Sequence, residues 1–132
     1  MRRIRQRYSK ALETESADVV LRFVRGLLRN AGWAERVVAW ETLALHPAGT
    51  HVLNDRLVEE MADGLEDWGS VDAFGVTVLG QAWREGRVTD SKIAAWTRSS
   101  NRWRRRLALV ATVPLNSRAR GGRGDARRTL RV

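Results

Sequence analysis

The sequence predicts an all-α fold, a helical-repeat solenoid built from antiparallel helix pairs. Three observations lead there. Trp33, Trp68 and Trp103 stand 35 residues apart. Nine residues after each tryptophan comes Thr42, Thr77 or Thr112, and one residue further comes Leu43, Val78 or Val113. The apolar residues between these markers recur every three to four positions, and no stretch alternates like a strand. A fixed period in this range with helical spacing is the signature of stacked helix pairs.

The elements follow in order. Residues 1–15 form a basic leading segment, read as a first helix. Ser16 is placed to N-cap a helix carrying Val19, Val20, Phe23, Val24, Leu27 and Leu28, and Asn30-Ala31-Gly32 should end it. A second helix of the repeat runs from Trp33 to about Leu45, stopped by His46-Pro47. The third should begin near Thr50 and bury Val52, Leu53, Leu57, Val58 and Met61. A fourth, from about Ser70 to Trp83, has Asp72 as its one charged residue after Val71, so it should be central. Gly86 closes it. Thr89 or Asp90 caps a fifth helix through Ile93 and Trp96. Ser99-Ser100-Asn101 caps a sixth from Arg102 to about Thr112, where Pro114 interferes with the backbone. Asp125 opens a short seventh helix, and the chain ends at Val132, inside what reads as that helix.

Composition bounds the chemistry. A chain of 132 residues is read as a single domain over 1–132. With no cysteine there is neither a disulfide framework nor a thiolate metal site. No run of eighteen apolar residues reads as a membrane span, and the Arg-rich start lacks the apolar core of a secretory signal, so a cytoplasmic location is expected. Charge is segregated. Residues 1–10 hold five basic groups and no acid, residues 11–97 hold eight basic and fourteen acidic groups, and residues 98–132 hold eleven arginines and one acid. Two basic ends around an acidic middle suggest a polyanion partner. Arginine outnumbers lysine 22 to 2. Coding bias explains the choice of arginine but not its concentration in the last 35 residues.

Two constellations carry chemistry. Asp72, four residues after Trp68, takes the place that Val37 and Leu107 fill in the flanking repeats. It shares a helical face with Trp68, Val76, Leu79 and Trp83. A carboxylate among indoles suits a cationic transition state; the plainer reading is a first-turn acid serving the helix dipole. Arg102, Arg104, Arg105 and Arg106 surround Trp103 at the start of the sixth helix, where they oppose the dipole and so favour an anion partner. His46 and His51 lack a third ligand, and no metal site is expected. Gly121-Gly122-Arg123-Gly124 follows no strand; it is read as a flexible basic contact rather than a dinucleotide loop. No hydrolytic nucleophile set can be assembled.

Glu66-Asp67-Trp68-Gly69-Ser70-Val71-Asp72 and the stretch from Trp96 through Leu109 resemble the DNA alkylation repair family, the AlkD-like HEAT-repeat DNA glycosylases. The likeness covers about residues 16–132. It implies a HEAT-like repeat and excision of N-alkylated purines, of the 3-methyladenine and 7-methylguanine kind, from double-stranded DNA. By the family's pattern Asp72 stabilises the sugar cation and positions the attacking water, and Trp68 presses an aromatic face on the deoxyribose. Arg106 holds a backbone phosphate near the lesion, or Arg105 does if the helix register differs by one. Arg102 and Trp103 join the DNA-binding set, and the base need not enter a protein pocket. The resemblance implies no metal, no cofactor, no membrane and a monomer. Family members continue into further helices, so this chain is expected to lack C-terminal ones. A non-catalytic DNA binder and a protein-interaction repeat are the alternatives.

Overall fold

The computed structural model describes residues 2–29 and 32–132. Among these the secondary structure is helical throughout, without a strand, and no helix is long and apolar enough to cross a membrane. The chain divides into two compact units, Met1–Val52 and Leu53–Val132.

The first unit holds α1 (Arg2–Leu12), α2 (Ala17–Leu28), α3 (Trp33–Leu45) and α4 (Pro47–His51). α1 and α2 both pack on α3. Val20 and Val24 of α2 meet a core that includes Trp40 and Leu43, all fully buried. Ser16 stands at the N-cap of α2 with extended backbone, but its side chain makes no capping bond. The expected stop at Asn30-Ala31 lies outside the described residues. Pro47 does more than end α3. It occupies the first turn of α4, where a missing N–H costs nothing. The His46 Nδ1 accepts the Gly49 N–H at 3.2 Å, and its Nε2 bonds the Leu12 carbonyl at 2.8 Å. Both ring nitrogens are therefore occupied by structural bonds.

The second unit holds α5 (Asp55–Ala62), α6 (Trp68–Phe74), a π-helical turn (Gly75–Leu79), α7 (Gly80–Arg84), α8 (Asp90–Thr97), α9 (Arg102–Val110), α10 (Thr112–Asn116) and α11 (Ala126–Arg131). A short 3₁₀ turn, Arg118–Arg120, follows α10. α8 and α9 form a helical hairpin, α6 packs on α9, and α7 packs on α10. Helix starts are set by side-chain caps. Asn54 accepts the Leu57 N–H at 2.9 Å, Asp67 the Ser70 N–H at 2.8 Å, Thr89 the Lys92 N–H at 3.1 Å, and Asn101 the Trp103 N–H at 2.8 Å. The expected helix from Thr50 is thus replaced by two, α4 and α5. Asp67, not Ser70, begins the central helix. The sixth helix breaks at Ala111 and restarts as α10, with Pro114 in the first turn.

The continuous run α6, π turn and α7 is the centre of this unit. Val71, Phe74, Val78, Leu79 and Trp83 are fully buried. Its π turn is closed by the Gly80 N–H donating to the Gly75 carbonyl, five residues back. The extra residue brings Gly75 and Gly80 toward the same side of the helix. A Cβ at Gly75 would lie 2.7 Å from Val110 Cγ1, and one at Gly80 would lie 2.6 Å from the Ala111 carbonyl oxygen. The two glycines let the central helix approach α9 and α10 closely.

Candidate active site

The tryptophan period marks helix starts. Trp33 and Trp68 are the first residues of α3 and α6, and Trp103 is the second of α9. At those positions the indoles are not core. Trp33 is 50% and Trp68 62% exposed, and Trp103 is half-buried.

Asp72 lies on the second turn of α6, half-exposed. Both of its oxygens accept from one guanidinium. The Arg106 Nε donates to Oδ1 at 2.7 Å and Nη2 to Oδ2 at 2.7 Å. The same guanidinium sits over Trp68, with Cζ 3.7 Å from the ring centroid. Trp68 in turn meets Trp103 edge to face, with centroids 5.9 Å apart and planes at 88°. Arg102 stands 4.6 Å from the Trp103 ring. Arg102, Trp103, Trp68, Arg106 and Asp72 thus form one continuous chain of contacts from α9 to α6 and back.

Hydrogen bonding from Asp72 pushes the Arg106 pKa above its ordinary value, outweighing the desolvation that opposes it. Arg106 is therefore a fixed cation. Its Nη1 has no hydrogen-bond partner among the described residues, so one edge of the fork is taken and the other is available. The Asp72 carboxylate keeps lone pairs beyond the two that Arg106 engages, since an ionised carboxylate offers about four acceptor directions. Its side chain is 44% exposed, which leaves those directions open to water.

The four arginines of the sequence run have four different fates. Arg105 turns back on its own helix start, with Nη1 donating to the Ser99 and Ser100 carbonyls at 2.7 and 2.9 Å. Arg104 is not a free marginal side chain. It is ion-paired to Glu59 at 3.0 Å, donates to the Ala62 carbonyl, and stacks 5.1 Å from the Trp96 ring. Burial pushes the Glu59 carboxyl up, but bonds from Lys92 and Trp96 and the Arg104 charge outweigh it, leaving the pKa below its ordinary value.

The expected grouping of Asp72 with Leu79 and Trp83 on one face does not occur. The inserted residue of the π turn shifts the helical phase between them. Leu79 and Trp83 are fully buried, and the Trp83 Nε1 donates to Asp90 at 2.7 Å instead. Sequence reasoning passed over this second cluster. Asp90 also accepts from the Arg128 Nε at 2.7 Å, and the Arg128 guanidinium lies 5.0 Å from the Trp83 ring. The Asp90 pKa is lowered, first by the Trp83 bond and then by Arg128 and Arg131, against the effect of burial. The spacing of Asp55, Asp90 and Asp125, 35 residues each, was the available signal.

Residues 1–132 match the family model described as DNA alkylation repair enzyme. The chain belongs to the DNA alkylation repair enzyme family. Comparison with curated proteins and with solved structures gives no match. Family membership assigns a role in DNA repair, with DNA as the partner. Against that role, the Asp72–Arg106–Trp68 arrangement offers a carboxylate, a cation with an unused edge and an exposed aromatic face within one contact chain.

Proposed function

We propose that this protein is a DNA glycosylase that hydrolyses the N-glycosidic bond of N-alkylated purines, of the 3-methyladenine and 7-methylguanine kind, in duplex DNA. The observation that carries the reading is Asp72 bound on one edge of Arg106 while the opposite edge and the remaining carboxylate lone pairs stay open. Alkylation leaves the purine cationic, so the bond to C1′ breaks with its electron pair passing to the base, which departs neutral. The charge left on the sugar is oxocarbenium-like. Asp72 faces that charge and accepts a hydrogen bond from the water that adds at C1′; the water's proton passes to Asp72 or to solvent. Trp68 offers an exposed ring to the deoxyribose, and the Arg106 Nη1 offers donors to the neighbouring phosphate. Arg102 and Trp103 extend the contact along the backbone. The reaction needs neither metal nor redox cofactor, and the protein acts as a monomer in the cytoplasm.

A second reading, a DNA binder without catalysis, is favoured by one feature: both Asp72 oxygens are engaged by a cation, which lessens their pull on a sugar cation. Release of 7-methylguanine from methylated duplex DNA separates the two. The glycosylase reading expects release by the native chain, and expects Asp72→Asn to lose it by about 10²-fold or more while duplex affinity is kept. Undiminished release by Asp72→Asn would sink it. No release by either chain, with tight duplex binding by both, would establish the second reading.

A further inference from the structure

The Gly121–Gly124 loop and the helix after it carry charge that the candidate site does not use. The glycines of this segment are required by its geometry. Gly121 and Gly124 have φ of +79° and +81°, a region L side chains rarely adopt. Gly122 is buried, and a Cβ there would lie 2.6 Å from both the Pro114 and Leu115 carbonyl oxygens. Its N–H donates to the Ser117 carbonyl at 2.8 Å.

Three side chains clamp the segment to the rest of its unit. Arg84 donates to the Pro114 carbonyl at 3.0 Å and to the Arg120 carbonyl. The Asn116 Nδ2 donates to Thr129 at 2.9 Å, while its Oδ1 accepts the Asp125 N–H at 2.8 Å. Arg128 reaches from α11 to Asp90 and to the Trp83 carbonyl, at 2.7 and 2.8 Å.

What the clamped segment displays is cationic. Arg118, Arg120, Arg123 and Arg127 are all exposed, and none of their guanidinium groups bonds to a described residue. The acid in this stretch, Asp125, accepts the Arg128 N–H at 2.9 Å as the cap of α11. Four unpaired cations held on a fixed frame repel one another, and a polyanion relieves that repulsion.

We propose that residues 118–127 form a second contact with the phosphodiester backbone of duplex DNA, additional to Arg106. The inference rests on the DNA-binding reading above. Its test is the salt dependence of plain duplex binding by the full chain, followed by anisotropy between about 50 and 200 mM salt. With Arg118, Arg120, Arg123 and Arg127 all changed to Gln, the log–log slope should become shallower by about three to four. Release of 7-methylguanine at saturating DNA should be unchanged. Gly122→Ala, which keeps every charge but forces the loop off Pro114 and Leu115, should lose part of the slope while far-UV dichroism stays helical. Should the quadruple variant lose helicity, the single variants decide, each expected to remove about 0.9 from the slope. A native chain that binds duplex and a folded variant with the same slope would overturn this inference and leave the DNA reading intact. A native chain that binds no duplex, plain or methylated, would overturn the DNA reading and this inference with it.

Discussion

Arg106 and Asp72 are joined by two parallel hydrogen bonds of 2.7 Å across 34 residues of sequence, so the ion pair ties one repeat to the next. Thr89 and Asp55 make the same kind of link at the same separation, with the Thr89 N–H and hydroxyl both donating to the carboxylate. The second link joins helix ends and serves the frame. The first lies half-exposed over an open indole, where a frame contact alone has little to gain, since exposed ion pairs contribute about 0–1 kcal/mol.

Replacing Arg106 should therefore divide binding from chemistry. Arg106→Ala should make the salt slope of duplex binding shallower by about one. Arg106→Lys should restore that slope, because an ammonium still meets a phosphate. It should not restore base release, because one ammonium cannot hold both Asp72 oxygens and a phosphate at once. Loss of a charge-assisted bond of about 1.5–3 kcal/mol corresponds to a roughly 10- to 100-fold slower release. Single-turnover release beside anisotropy titrations measures both quantities.

Trp68 provides a separate test of the aromatic face. It is 62% exposed, so Trp68→Ala should change the urea midpoint little, by less than about 1 kcal/mol in stability. Base release should fall about tenfold or more, as both the platform for Arg106 and the face toward the sugar are removed. Trp68→Phe, which keeps a ring, should retain most of the release. A stability loss in Trp68→Ala as large as a core truncation would show that the indole is structural.

The acid side of the stability profile should report on Glu59. Its folded pKa lies below its ordinary value, so its contribution is fully present above that value and is lost as pH falls through the folded pKa. Asp90, lowered in the same direction, adds to the loss at lower pH. Urea midpoints should fall between about pH 5 and pH 3, and Glu59→Gln should flatten part of that fall. An unchanged profile in Glu59→Gln would remove the Arg104–Glu59–Lys92 cluster from the stabilising set.

The two glycines of the central helix should respond differently to a methyl group. At Gly80 the new Cβ meets backbone and ring, the Ala111 carbonyl oxygen at 2.6 Å and Pro114 Cδ at 2.7 Å, neither of which can turn aside. Gly80→Ala should destabilise by about 1–3 kcal/mol, despite alanine's better helix propensity. At Gly75 the obstacle is the Val110 side chain, so Gly75→Ala should cost less. Denaturant unfolding of both variants provides the comparison.

These contacts also explain what was legible in the sequence. Trp33, Trp68 and Trp103 announced the repeat because the period is local, and the helix starts at Trp33 and Arg102 followed, while the start at Trp68 was read two residues late, at Ser70. Asp72 stood out because its repeat partners Val37 and Leu107 are apolar. Caps were half-legible. Thr89 and Asn101 act as expected, while Asp67 was passed over although it precedes Ser70 by the usual three residues. The fates of Arg104, Arg105 and Arg106 were not legible at all. Adjacent residues of one type were sorted by partners as distant as Glu59, 45 residues away from Arg104. The π turn was hidden for the same reason, since it answers to the close approach of α9 and α10 rather than to any residue's own preference.

That turn acts as a phase correction in the backbone. A π turn takes in one residue more than the α turn it replaces and lets the helix on either side run on with little change of direction. A residue fewer between Gly75 and Leu79 would therefore restore ordinary α-helical winding and leave Asp72 toward Arg106 and Trp83 in its buried place, whereas a residue fewer in the α-helical stretch beside it would swing the two ends by about 100°. The aim of the carboxylate relative to the buried indole thus survives a change in the length of the chain at the turn itself, and fails for the same change one turn away.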